Sequence, residues 1–197
     1  EVYAMATFFF ALLFWAMTRW ERVADRPGGD RWLLFIGLMV GLSGGVHLLS
    51  LLALPALVFM YYFRRYETTR KGTMITTAVA LGILIFILYF VLDWMIAIAA
   101  GLDVMFVNNM GLPFHTGIIL FTILMLSLLG FGIYWTSKNG MRLVNTAILG
   151  VLFMMMGFGS YAMVLIRAEA QPSINMNGIS DVHSFLSYLK QIGRAHV

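Results

Sequence analysis

WLLFIGLMVGLSGGVHLLSLLALPALVFMYYF, residues Trp32 to Phe63, is a run of 32 residues without one Asp, Glu, Lys or Arg, and it decides the fold. Apolar runs longer than about 18 residues are the mark of helices that cross a bilayer. A straight helix of this length would measure about 48 Å, well beyond a hydrocarbon core of ~30 Å. Arg31 precedes the run and Arg64, Arg65, Arg70 and Lys71 follow it. Basic residues gather on the cytoplasmic side of membrane helices, so both ends belong there and the run must cross and return. A helical hairpin satisfies that requirement. Its break is expected within Gly41-Leu42-Ser43-Gly44-Gly45, because glycine weakens a helix and lets backbones approach. Each arm, at about 15 residues, is too short to cross fully. The turn therefore sits at or below the outer interface, where non-helical backbone must be buried in protein or face a watery cavity.

The remaining sequence repeats the pattern. Tyr3 to Thr18 is apolar and ends in Arg19, Arg22, Arg26 and Arg31; Met74 to Leu92 is a third stretch. Gly117 to Trp135 is a fourth, followed by Lys138 and Arg142, and Leu143 to Leu165 is a fifth. Ten of the thirteen basic residues lie in three loops, which the positive-inside rule makes cytoplasmic, with Asp93 to Thr116 and everything after Arg167 outside. Trp94 to Val107 is apolar but short, and reads as a re-entrant or interfacial helix. The expected fold is thus an all-α integral membrane bundle containing one glycine-broken hairpin and one re-entrant or interfacial helix.

Composition agrees. Hydrophobic residues make up 61% of the chain and charged residues 11%, against roughly 25% charged in soluble domains. Mean hydropathy is +0.87 and the pI is about 9.6. That basic balance comes from loop residues that set topology, so no nucleic-acid partner is expected. With no cysteine the chain has no disulfide, thiolate metal site or cysteine nucleophile. The transmembrane part is expected to span residues 1–166, and residues 167–191 to begin an extracytoplasmic region. The chain opens on Glu1 without a basic n-region, so it is expected to be a fragment lacking its N-terminal part. Its last six residues, Ile192-Gly193-Arg194-Ala195-His196-Val197, can be encoded by ATC GGA AGA GCA CAC GTC. That matches a common sequencing-adapter stretch, so residues 192–197 are expected to be read-through, which resequencing would test.

No phosphate-binding glycine loop, His-Glu-x-x-His helix or Gly-x-Ser-x-Gly elbow is present. His47 is the one ionisable side chain deep in an apolar stretch, and it follows the glycine break. Ionisable groups in membrane segments are costly and usually face a cavity or a partner, though a packing imidazole bonded to a backbone carbonyl is an equal alternative. Glu1 and Tyr3 fall near the outer end of the first helix, where a solvated acid beside an interfacial aromatic is the plainer reading. Asp93 and Asp103 read as loop acids more readily than as a catalytic pair. Met154-Met155-Met156 reads as flexible packing, and no metal site is expected. Arg167, Asn175 and Asn177 supply donors in the polar tail.

Four segments taken together resemble one family: Glu1-Val2-Tyr3-Ala4-Met5, GLSGGVHLLSLLALPAL (41–57), FVNNMGLPFHTG (106–117) and RAEAQPSINMNGISDVHSFLSYLK (167–190). It is the bacterial protein O-mannosyltransferase-like membrane family, long catalogued as a domain of unknown function, within the C-type glycosyltransferase superfamily. This chain departs from it at Ser50, where Asn is usual, at Pro172-Ser173 and Gly178-Ile179, and in lacking Gln-Tyr-Gly soon after Lys190.

The resemblance implies a multi-pass protein of the bacterial cytoplasmic (inner) membrane with its active site on the extracytoplasmic face. It implies transfer of mannose from a polyprenyl-phosphate donor to Ser or Thr hydroxyls of exported proteins, with no cofactor beyond that lipid-linked substrate. His47, Glu1, Tyr3 and Arg167 are the donor-binding residues it implies. A general-base carboxylate is implied in an outer loop upstream of Glu1, so the catalytic residue is not assigned here and the fragment alone is expected to be inactive. The competing reading is a polytopic transporter subunit, since transporters also break helices around a central site. Such a protein is expected to show a second, matching break, and only one is visible.

Overall fold

The computed structural model describes residues 2–163 and Arg167, without the side chains of Val2, Leu48, Leu49, Leu92, Asp93 and Ala162. Every regular element among the described residues is helical. Helix α1 is Val2–Val23, α2 is Arg31–Gly44, and a 3-10 turn, Leu48–Ala53, leads into α3, Leu54–Arg65. Helix α4, Arg70–Ile85, passes through a π-helical segment, Phe86–Trp94, into α5, Met95–Met110. Helices α6, Thr116–Lys138, and α7, Arg142–Gly159, follow.

The hairpin forms where the glycines predict. Helix α2 ends at Gly44, and α3 begins with Pro55 in its first turn, where a missing N–H is harmless. The return of the chain is fixed at its feet. Arg65, the last residue of α3, donates from Nη2 to the Ala24 carbonyl at 2.7 Å and lies 3.8 Å from Asp30, beside the start of α2. Arg64 pairs with Asp25 in the same loop.

Gly41 has another task. It lies inside α2, and a Cβ there would overlap the carbonyl oxygen of Met154 in α7; a Cβ at Gly37 would stand 2.7 Å from the Gly150 oxygen. Gly157 meets Leu38 in the same way. The pairs 37/150 and 41/154 advance together, so α2 and α7 run parallel, held at a distance only glycine permits. The break itself falls one turn later.

Helix α1 runs antiparallel to α2, as the ring pairs Trp15–Trp32 and Tyr3–His47 require. Its buried stripe is Leu13, Ala16, Met17 and Trp20, the i, i+3, i+4, i+7 spacing of one helical face. Trp20 stacks on Tyr61 at 5.0 Å and lies beneath the Arg65 guanidinium at 5.7 Å. Leu51, Leu57, Ile87, Val91 and Met154 complete this core.

Trp94 to Val107, expected as a separate re-entrant or interfacial helix, is the distal part of one helix that begins at Arg70. No proline interrupts Arg70 to Met110, and the π segment carries the helix through Asp93 without a break. Asp93 therefore lies within the helix and not in an outer loop. The whole run has 41 residues. At ~1.5 Å per residue it is about 60 Å long, twice a hydrocarbon core, so it runs obliquely or emerges from the membrane.

Among the described residues, three helices are long and apolar enough to cross a membrane: Arg70–Met110, Thr116–Lys138 and Arg142–Gly159. Helix α6 leaves Ile119, Ile123, Leu124, Leu128 and Phe131 exposed. In water such a face would be a large apolar patch; against lipid it is the ordinary exterior. The chain is a multi-pass integral membrane protein.

Candidate functional site

The helix directions sort the loops into two ends. At one end meet the α1–α2 loop, the end of α3 and the start of α7: Arg142 bonds Asp30 through Nε at 2.7 Å, beside Arg65. Asn145 donates to Ile133 and Thr136 at 2.9 Å, fastening the end of α6 to this group. All three basic loops thus share one end, as the charge pattern requires. The 14 residues from Trp94 to Val107 do not move the Lys138/Arg142 loop to the other side.

At the opposite end lie the beginning of α1 and the turn of the hairpin. The rings of Tyr3 and His47 are 5.4 Å apart and tilted by 45°. Two residues singled out separately in the sequence, 44 positions apart, are thus brought together. Tyr3 is mostly exposed, while His47 is half-buried.

The sequence around His47 determines its backbone. The amides of Val46 and His47 both donate to the Ser43 carbonyl, at 3.0 and 2.9 Å. The buried Ser43 hydroxyl donates back to Val40, and the buried Ser50 hydroxyl donates to the His47 carbonyl at 2.9 Å. The break is therefore satisfied from within. Its Val46 and His47 amides are engaged and do not form the anion-receiving nest that a glycine break suggests.

Tyr161 belongs to this end, and the sequence reading missed it. A Cβ at Gly45 would stand 2.9 Å from its ring, so Gly45 makes room for the tyrosine where α7 ends. The signal was available only in part, since an aromatic after a membrane helix usually reads as an interfacial anchor.

Glu1 is outside the described residues, and Arg167 is exposed with its neighbours outside the description. Asp103 is neither a loop acid nor half of a pair. It is buried in α5, and its carboxylate accepts from the amides of His115 at 3.3 Å and Gly117 at 3.0 Å, capping the start of α6. Among the described residues no group of three His, Cys, Asp or Glu could hold a metal ion. Two cavities among the described residues, of about 710 and 260 Å³, lie against α2, α3 and α7, the larger reaching α4 as well, and neither is lined by Tyr3 or His47.

An all-helical membrane bundle with a serine-braced hairpin turn and a Tyr–His pair at one end is the class of protein defined here. Residues 1–70 match the family described as the protein O-mannosyl-transferase TMEM260 N-terminal domain. That stretch contains α1, the whole hairpin, Tyr3 and His47, and over it the chain is similar to an O-mannosyltransferase family. No curated protein and no solved structure matches the chain.

Proposed function

We propose that this chain is part of a membrane glycosyltransferase that moves mannose from a polyprenyl-phosphate donor to Ser or Thr hydroxyls of exported proteins. The observation that carries the reading is the Tyr3–His47 pair at the end opposite the basic loops, inside the stretch that matches the family. With the basic loops cytoplasmic, this pair faces the outside of a bacterial cytoplasmic membrane, where both the carrier lipid and an exported acceptor are accessible.

In the transfer, an acceptor oxygen attacks the anomeric carbon, the bond from that carbon to the phosphate oxygen breaks, and the hydroxyl proton passes to a base. His47 donates a hydrogen bond to the carrier phosphate and steadies its growing charge as the sugar leaves. Tyr3 orients the imidazole and offers an aromatic face to the sugar ring. Arg167 and Glu1 are assigned to the same donor-binding region on the family resemblance, and no residue here is assigned as the base.

The test is transfer of labelled mannose from polyprenyl-phosphate mannose to a Ser/Thr peptide by the purified full-length protein in lipid. Peptide-linked mannose released by β-elimination is the expected product. Donor or sugar moving across the vesicle without any peptide labelling would favour the transporter reading instead.

A further inference from the structure

The larger cavity is a groove whose lining reaches from Met154 to Tyr66 and Leu143, at the end of the bundle away from Tyr3 and His47. Helix α2 packs on α7 and helix α3 on α4. The space left between these two pairs is a volume of about 710 Å³, within the range of about 300–1,000 Å³ usual for ligand sites. Its walls are Leu57, Ile83, Ala147, Gly150 and Met154 with other apolar side chains. The second cavity, about 260 Å³, shares Leu33, Tyr61, Tyr66, Leu143 and Thr146 with the first and adds Asp30, Arg65 and Arg142. The two form one amphipathic slot, apolar within and charged at the mouth.

Three features of the mouth define what it takes. Arg65 and Arg142 line it with Asp30, and with Arg64 and Asp25 alongside, three guanidinium groups meet two carboxylates, leaving a net positive charge. The Arg142 side chain is mostly exposed and engages Asp30 through Nε, so its terminal nitrogens face the opening, where a ligand oxygen can reach them. Tyr61 and Tyr66 ring the opening, at the level where tyrosines mark the boundary between acyl chains and headgroups. The geometry points to a binding slot for an anionic phospholipid of the cytoplasmic leaflet, its acyl chain between α2–α7 and α3–α4 and its phosphate on Arg65 and Arg142. A free phosphate has no use for the apolar walls, and a zwitterionic lipid gains nothing from the excess positive charge. This slot is separate from the donor end and does not depend on the proposed transfer.

The test is native mass spectrometry of the purified chain in neutral detergent, equilibrated with equal amounts of phosphatidylglycerol and phosphatidylcholine. One phosphatidylglycerol per chain is expected to be retained, with a preference of roughly five-fold or more, as expected for one or two arginines near an anionic headgroup. Arg142→Gln and Arg65→Gln are expected to lower that preference towards parity while still retaining some lipid. Ala147 lines the groove and is exposed, so Ala147→Trp fills the slot at little cost to packing and is expected to abolish retention of both lipids. Circular dichroism establishes that this variant remains helical. Equal retention of both lipids by the parent, retention untouched by Ala147→Trp, displacement of the lipid by inorganic phosphate, or a second copy of the chain in its place would each overturn the assignment.

Discussion

His47 is where the sequence and the structure bear most directly on one residue. An imidazole in an apolar run needs a partner, and the fold supplies the Tyr3 ring at 5.4 Å and a turn whose own amides are already engaged. The proposed role is that this side chain donates to the carrier phosphate while the backbone of the turn keeps its own hydrogen bonds. His47→Ala is therefore expected to lower turnover or donor affinity by about 10- to 100-fold, the worth of a hydrogen bond to a charged group of about 1.5–3 kcal/mol. His47→Lys is expected to retain part of the activity, because a cation also serves a phosphate. Turnover by purified full-length variants is the measurement, with helicity followed in parallel; a parent-like His47→Ala enzyme would make the residue a packing imidazole. Asp103 has a different character. Two amides at the start of α6 donate to its carboxylate, and leaving the buried one, of Gly117, unsatisfied costs about 1–3 kcal/mol. Asp103→Ala is expected to destabilise the α5–α6 pair by at least that amount in thermal melts, with Asp103→Asn in between.

Among the elements, the hairpin was legible in advance because charge and length both constrained it. Basic residues at both ends of a 32-residue run left only a return path, and the glycines marked where helix could stop. What the sequence concealed was the division of labour among those glycines. Gly41 reads as a helix breaker, yet it is helical and holds α2 against α7; Gly45 gives way to Tyr161. A long-range contact at backbone distance leaves no local periodicity to read. Gly41→Leu is expected to force α2 from α7 at a cost of about 1–3 kcal/mol or more, seen as a lower melting temperature, whereas Gly82→Leu, where nothing lies within 4 Å, is expected to be nearly neutral. The continuity of the helix from Arg70 to Met110 was hidden for a related reason. Its short apolar run, bounded by Asp93 and by Asn108-Asn109, resembles a separate piece, but helix continues through an acid that the π segment accommodates.

At the scale of the whole molecule, the chain is a bundle with two unlike ends. One is closed by Asp25, Asp30, Arg64, Arg65 and Arg142, drawn from three separate loops. The other carries Tyr3, His47 and Tyr161. Exposed ion pairs contribute only about 0–1 kcal/mol each, so the first end is better understood as a device that fixes orientation than as a source of stability. Everything proposed for the donor site depends on that orientation. Cysteine-accessibility labelling in intact cells tests it most directly, using single cysteines at Tyr3, Asn109, Glu67 and Asn139, all exposed positions. An impermeant reagent added from outside is expected to label Tyr3→Cys and Asn109→Cys and to reach Glu67→Cys and Asn139→Cys only after the membrane is opened. Labelling of Glu67→Cys and Asn139→Cys from outside, with Tyr3→Cys protected, would contradict the account and place the Tyr3–His47 end on the cytoplasmic side.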